Sequence, residues 1–207
     1  MKFGCKKSKL DGSEIKLTIP KVMKLPESFS YQTQLSPITN QGNTNTCVCH
    51  SVAAWINWNM DVRKKTPKKD YNVNINQIYS AREDKKNDNG MTIKEALNFF
   101  KVKGVGTNGG VIKGSQFAMI GSEIIAKQCI VSNGPILVAL PAYSDSRYDE
   151  FWKGSDLAGG HCVVLVGYDK DGFILRNSWG TSYGRQGYSH LPYSDFNKIY
   201  EMWTIIS

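Results

Sequence analysis

Three separated pieces of this 207-residue chain carry side chains suited to acyl transfer. Gln41 stands six positions ahead of Cys47 in QGNTNTCVCHS, His161 follows Gly159 and Gly160, and Asn177 opens the NSWG of LRNSWG. A cysteine, a histidine and a side-chain amide supply a nucleophile, a base to charge it and an orienter for the base. A thiol becomes a good nucleophile only when ionised, and the first turn of a helix, where backbone N–H groups lack partners, favours the thiolate. The plain alternative for Cys47 is an inert core cysteine. Gln41 reads as an exposed loop amide whose NH2 can join the Cys47 N–H around a developing oxyanion.

These residues need elements to hold them. From Cys47 the apolar positions Val48, Val52, Trp55, Ile56 and Met60 recur at helical spacing until Arg63-Lys64-Lys65 and Pro67, which predicts a central helix with Cys47 in its first turn. Thr92 and Glu95 have the spacing of a capping box, opening a second helix that stops at Gly104, and a third is expected over residues 122–130. Strand signals then dominate, at 136–140, 162–168, 173–176, 187–191 and 199–205. Asp169-Lys170-Asp171-Gly172 reads as the turn of a hairpin that sets His161 opposite a position two or three beyond Asn177, so the two side chains share one end. An Asn oxygen accepting from one imidazole nitrogen leaves the other for the cysteine, and a thiolate–imidazolium ion pair is expected. The chain therefore reads as α+β, a helical half followed by a β half with a cleft between them.

Composition bounds the possibilities. With 41% hydrophobic and 21% charged residues the chain can bury a core, and no run approaches the length of a membrane helix. The basic N-terminus lacks an apolar signal-peptide core, and five cysteines are an odd number without the spacing of a disulfide scaffold, so a cytoplasmic or otherwise reducing compartment is expected. The formal charge of +8 raises nucleic acid, but the Arg63–Lys69 basic run has no stacking aromatics around it and reads as a solvated helix end and loop. No nucleic acid, membrane, cofactor or metal is expected. A zinc site from Cys47, Cys49 and His50 with His161 and Cys162 is disfavoured because a single residue between cysteines is tighter than in zinc knuckles. Residues 1–24 alternate charge with Ile15, Leu17, Ile19 and Val22, as an edge strand or surface clasp would.

The same segments carry a family resemblance. QGNTNTCVCHSVAAW, GGHCVVLVGYD and FILRNSWGTSYGRQGY resemble three segments of papain-like cysteine peptidases, and LPESFSY resembles the start of their mature chain. NQIYSAR, DNGMTIKEALNFFKVKGV and YEMWTI are similar to the short bacterial and phage branch. The resemblance implies a two-lobe fold, an extension at 1–24, a helical lobe at about 25–134 and an antiparallel β lobe at 135–207. It implies endopeptidase action on peptides or proteins by a monomer, with Cys47, His161, Asn177 and Gln41 catalytic and Trp179 a lid over the His161–Asn177 bond. Substrate would meet Gly90, Met91, Ala139, Gly159, Gly160, Cys162 and Trp179, with Met91 standing where the family has a second glycine. The extension is too short to resemble the long inhibitory propeptide of lysosomal relatives, so control by other means is expected. Thr44 occupies the position where many secreted relatives carry a disulfide cysteine. Acyl transfer to an amine by a transpeptidase or ligase and a non-catalytic binding module are the alternative readings.

Overall fold

The computed structural model describes residues 2–18, 23–65, 71–145 and 150–206. Its middle is a helix, α1 (Cys47–Trp58), continued by a wider π turn over Asn59–Arg63. Ten of its twelve residues are buried, which suits a helix enclosed on all sides rather than one lying on a surface. A short α2 (Ile75–Tyr79) and α3 (Ile93–Val102) pack on one flank, and the sheet packs on the other. The expected capping box is present: the Thr92 hydroxyl accepts from Glu95 N–H at 3.1 Å, and the Glu95 carboxylate accepts from Thr92 N–H at 2.5 Å. Helix α4 (Glu123–Ser132) is capped by Ser122 and lies against the sheet.

The strands are β1 (Cys5–Lys6), β2 (Phe29–Ser30), β3 (Met91–Thr92), β4 (Val105–Thr107), β5 (Gly110–Ile112), β6 (Gln116–Met119), β7 (Ile136–Tyr143), β8 (Leu157–Tyr168), β9 (Phe173–Arg176), β10 (Tyr188–Leu191) and β11 (Glu201–Ile206). An antiparallel sheet runs β10-β9-β8-β7-β11-β6, with β2 added beside β8. Strand β7 is buried along its whole length and β8 from His161 onward, because both lie between α1 and α4 and the other layers. Val164 stands opposite Arg176, so the β8–β9 hairpin sets His161 and Asn177 at the same end. Strand β6, from the helical half by sequence, hydrogen-bonds the last strand, and a β4–β5 hairpin follows α3.

Two expectations bear on the ends of the chain. Leu17 N–H donates to Met119 O and Met119 N–H to Ile15 O, both at 2.7 Å, so this stretch does clasp the β6 edge. Ile19, Val22 and residues 66–69 of the basic run lie outside the described residues. Among the described residues no helix is long and apolar enough to cross a membrane.

Candidate active site

Cys47 opens α1, fully buried, and faces β8 across the molecule. His161, also fully buried, shares a 2.9 Å hydrogen bond through Nε2 with Asn177 Oδ1. The direction of that bond follows from a second one. Ser178 N–H donates to the same Oδ1 at 2.7 Å, which fixes it as the amide oxygen and makes Nε2 the donor. In the neutral ring Nδ1 then carries the lone pair, and this atom is buried without a hydrogen-bond partner among the described residues. A base is thus held in the tautomer that can take a proton on its open side.

Two indoles enclose the ring. Trp179 stacks on His161 with centroids 4.4 Å apart, as a lid would, and Trp152 lies nearly parallel to it at 5.7 Å. Trp152 is anchored by its N–H to Pro141 O at 2.8 Å. The sequence offered no periodic or motif signal for Trp152, since it belongs to an irregular stretch. Its neighbour Phe151 pairs with His190 as an isolated bridge rather than within a strand.

Gln41 is joined to Asn177 by a backbone zipper between residues 39–41 and 178–180. Gln41 N–H donates to Ser178 O at 2.8 Å, Gly180 N–H to Thr39 O at 3.0 Å, and the Ser178 hydroxyl to Gln41 Oε1 at 2.7 Å. Arg176 underpins the zipper. Its buried guanidinium donates to Ser36 O at 2.9 Å and Pro37 O at 2.7 Å, holding the entering loop. The exposed Gln41 read from the sequence is corrected: the side chain is 4% exposed, because the zipper and the N-terminal residues cover it. Its Nε2 donates to Thr44 O at 2.8 Å and points to Lys2 O at 3.4 Å.

That last contact belongs to a larger one: residues 2–6 run through the cleft. Phe3 meets His161 and Trp179 edge-on, at 6.2 and 5.9 Å. Met91 N–H donates to Gly4 O at 2.9 Å, Gly4 bridges Gly160, and β1 pairs parallel with β3. Gly90 and Gly160 make this possible. A Cβ on Gly90 would lie 1.8 Å from Gly4 O, and one on Gly160 would lie 2.3 Å from Cys5 O. Farther on, Ser8 donates twice to the buried Glu201 carboxylate, at 3.1 and 2.9 Å, and Lys94 pairs with Asp11 and Glu14 at 3.1 and 2.6 Å. The extension is therefore not only a surface clasp, since residues 2–6 lie against His161, Gly160 and Met91. Phe3-Gly4-Cys5 is too short for a periodic signal to reveal this route.

Filling the cleft changes its electrostatics. Burial pushes the Cys47 thiol up to about 12, with Cys162 nearby adding to the rise; backbone N–H groups of Cys162, Gly4 and Val48 favour the thiolate but do not offset it. Burial likewise pulls His161 down to about 4, against the support of Asn177. Both shifts favour the uncharged thiol and the uncharged imidazole in this form.

The remaining positions that the resemblance gave to substrate are placed as follows. Met91 is wholly buried, its sulfur 3.5 Å from Cys49 Sγ, while its backbone faces Gly4. Ala139 stands opposite Cys162 and opposite Glu201 in the sheet. A Cβ on Gly159 would meet Phe3.

Residues 111–202, which include His161 and Asn177 but not Cys47, match the family described as papain family cysteine protease. Over nearly its full length the chain superposes on xylellain, a cysteine protease from Xylella fastidiosa, with TM-score 0.88, 20% identity and coverage of 99% and 96% of the two chains. A digestive procathepsin L2 from Tenebrio molitor superposes with TM-score 0.80 at 17% identity, covering 97% of this chain and 76% of that one. The α+β fold is therefore papain-like. Cysteine proteinase 3 of Entamoeba histolytica is 36% identical over 100 residues, 42% of this chain and 31% of that protein. Human cathepsin O is 26% identical over 214 residues, 86% of this chain and 64% of that protein. The chain thus spans less than two thirds of these two relatives.

Proposed function

We propose that the chain is a papain-like cysteine endopeptidase, held closed in this form by its own residues 2–6. The observation that carries the reading is the fixed histidine tautomer: His161 Nε2 donates to Asn177 Oδ1 and leaves Nδ1 without a partner among the described residues, on the strand that packs against the buried helix Cys47 opens. Once the cleft opens, Cys47 passes its proton to Nδ1 and the sulfur attacks a peptide carbonyl. Negative charge developing on that oxygen meets the Cys47 N–H and Gln41 Nε2, the donor now pointed at Lys2 O. His161 then protonates the leaving amine, and water attacks the acyl-enzyme with His161 as base. Within the papain-like group the reading places the chain nearest the short bacterial and phage branch, supported by the near-complete mutual coverage with the Xylella protein.

The test is hydrolysis of a fluorogenic peptide library by the chain lacking residues 1–9, with cleavage sites mapped by mass spectrometry. An added amine nucleophile shows whether water or amine takes the acyl group. Gln41→Ala lowers turnover about a hundredfold, the scale of one oxyanion donor. Asn177→Ala lowers it less than His161→Ala, because it frees the ring's orientation but leaves the base. Equal losses from those two variants would overturn that division of roles.

A further inference from the structure

Of the motif Cys47-Val48-Cys49-His50, hydrolysis uses the first residue and the packed interior takes the next two, which leaves His50 without a role. His50 follows Cys47 by three residues, so it stands about one turn farther along α1 on nearly the same side. It is half-buried, and its Nδ1 shares a 2.9 Å hydrogen bond with Thr39 Oγ1. Burial pulls its imidazole down to about 4, so the ring is uncharged near neutral pH. Whichever of the two groups gives the proton, the bond joins the same pair of residues. We infer that His50 is a positioning residue for peptide hydrolysis: through Thr39 it sets the helix carrying Cys47 against the loop carrying Gln41 and the chain end carrying Asn177 and Trp179. The inference rests on the reading of Cys47, His161, Asn177 and Gln41 as the catalytic group.

Thr39 is where these parts meet. Its hydroxyl bonds His50 on α1, and its carbonyl accepts from Gly180 N–H at 3.0 Å. The next residue, Asn40, bridges Trp179, the indole stacked on His161, and Gln41 N–H donates to Ser178 O. One residue therefore holds the nucleophile's helix by its side chain and the Asn177 end of the sheet by its backbone, two positions before the oxyanion donor. Other supports act farther away. Asn57 Nδ2 donates to Ser36 Oγ at 3.2 Å from the last turn of α1, and Arg176 holds Ser36 and Pro37. Those contacts fix where the loop begins; His50 fixes the part next to Gln41.

His50 also lines, with Thr39, Ser51, Asn177 and Ser178, a small cavity behind the catalytic group. Asn177 Nδ2 is buried without a hydrogen-bond partner among the described residues, so the amide is held through its Oδ1 alone, by His161 and Ser178. The zipper is then what keeps Asn177 in place, and His50 ties that zipper to α1. An apolar side chain at position 50 could pack there but could not answer the Thr39 hydroxyl. Among the described residues His50 has no hydrogen bond or ring contact with residues 2–6, which run through the cleft. Its effect therefore falls on attack by Cys47 and donation by Gln41, which belong to the transition state, and not on peptide binding.

The test measures peptide hydrolysis, thermal unfolding and amide hydrogen exchange on the full chain. His50→Ala and Thr39→Val each lower kcat about tenfold to a hundredfold, the scale of a misplaced reacting group, with KM within about twofold of wild type. The double variant loses no more than either single one, because both cut the same bond. His50→Asn, which offers a polar atom close to where Nδ1 stands, and Thr39→Ser, which keeps the hydroxyl, recover most of the rate. In the two disruptive variants the Gly180 and Gln41 amides exchange faster, while those of the β6–β11 pair at the far edge of the sheet are unchanged. Losses that multiply in the double variant overturn the inference, as do a wild-type kcat in His50→Ala, a fall in rate that only follows loss of folded protein, and unchanged exchange at Gly180 and Gln41. Faster exchange at those amides in a chain that hydrolyses nothing even without residues 1–9 leaves the His50 tie standing and removes the catalytic reading instead.

Discussion

Cys47→Ala abolishes peptide hydrolysis and leaves the circular-dichroism spectrum unchanged, whereas Cys49→Ala keeps most of the activity. Positions two apart on a helix point about 200° away from each other, so only one of these sulfurs can face the cleft. Cys47 meets the Gly4 and Cys162 N–H groups there, while Cys49 Sγ lies against the Met91 sulfur in the packed interior. Loss of the nucleophile removes the covalent route altogether, an effect that reaches about a millionfold in enzymes of comparable logic. Loss of the Cys49 sulfur opens a small cavity and costs only stability, on the order of 1 kcal/mol. Activity measured beside thermal unfolding separates the two. A Cys47→Ala chain that still cleaves, or a folded Cys49→Ala chain that does not, would overturn the assignment.

Removing residues 1–9 accelerates alkylation of Cys47 by iodoacetamide by two orders of magnitude or more near neutral pH, because the ionised fraction of the thiol rises. With the thiol pushed up to about 12, roughly one in ten thousand is ionised at about pH 8 in the closed form. The sign is that of a raised acid: as pH climbs toward 12, alkylation of the closed chain rises about tenfold per unit. The shortened chain lets water and His161 stabilise the charges, so its thiolate is present at neutral pH and its rate is flat there. Mass spectrometry of the modified cysteine in both chains, across pH, checks the prediction. Equal rates in the two would mean that Phe3, Gly4 and Cys5 do not shield the sulfur.

Much of the site was legible because its signals are local. The six-residue step from Gln41 to Cys47, the helix period after it and the Asp169–Gly172 turn each fix a short stretch of geometry, and the hairpin carries His161 to Asn177 by register alone. Thr92 and Glu95 were readable for the same reason. What escaped depends on residues far apart in sequence. The Arg176 clamp on Ser36 and Pro37 spans about 140 residues, and an arginine ending a strand more often faces solvent. Strand β6 is four residues of mixed character that become a strand only beside β11. The β4–β5 hairpin did leave a trace, since Thr107-Asn108-Gly109-Gly110 is a turn sequence between short apolar flanks. The path of Phe3-Gly4-Cys5 left none, because a strand of two residues has no period.

If residues 2–6 close the cleft as proposed, their covalent continuity with the rest of the chain gives the inhibition a particular arithmetic. A separate inhibitor is shed on dilution, but a segment joined to the cleft by a few residues and pinned by the Lys94 ion pairs keeps the same local concentration at any enzyme concentration. Opening is then a unimolecular equilibrium, and a substrate competing for the cleft sees its apparent affinity divided by the open fraction. The progress of hydrolysis per molecule is therefore independent of how much enzyme is present, unless one copy cuts the segment of another, in which case activity develops with a lag that shortens as the protein is concentrated.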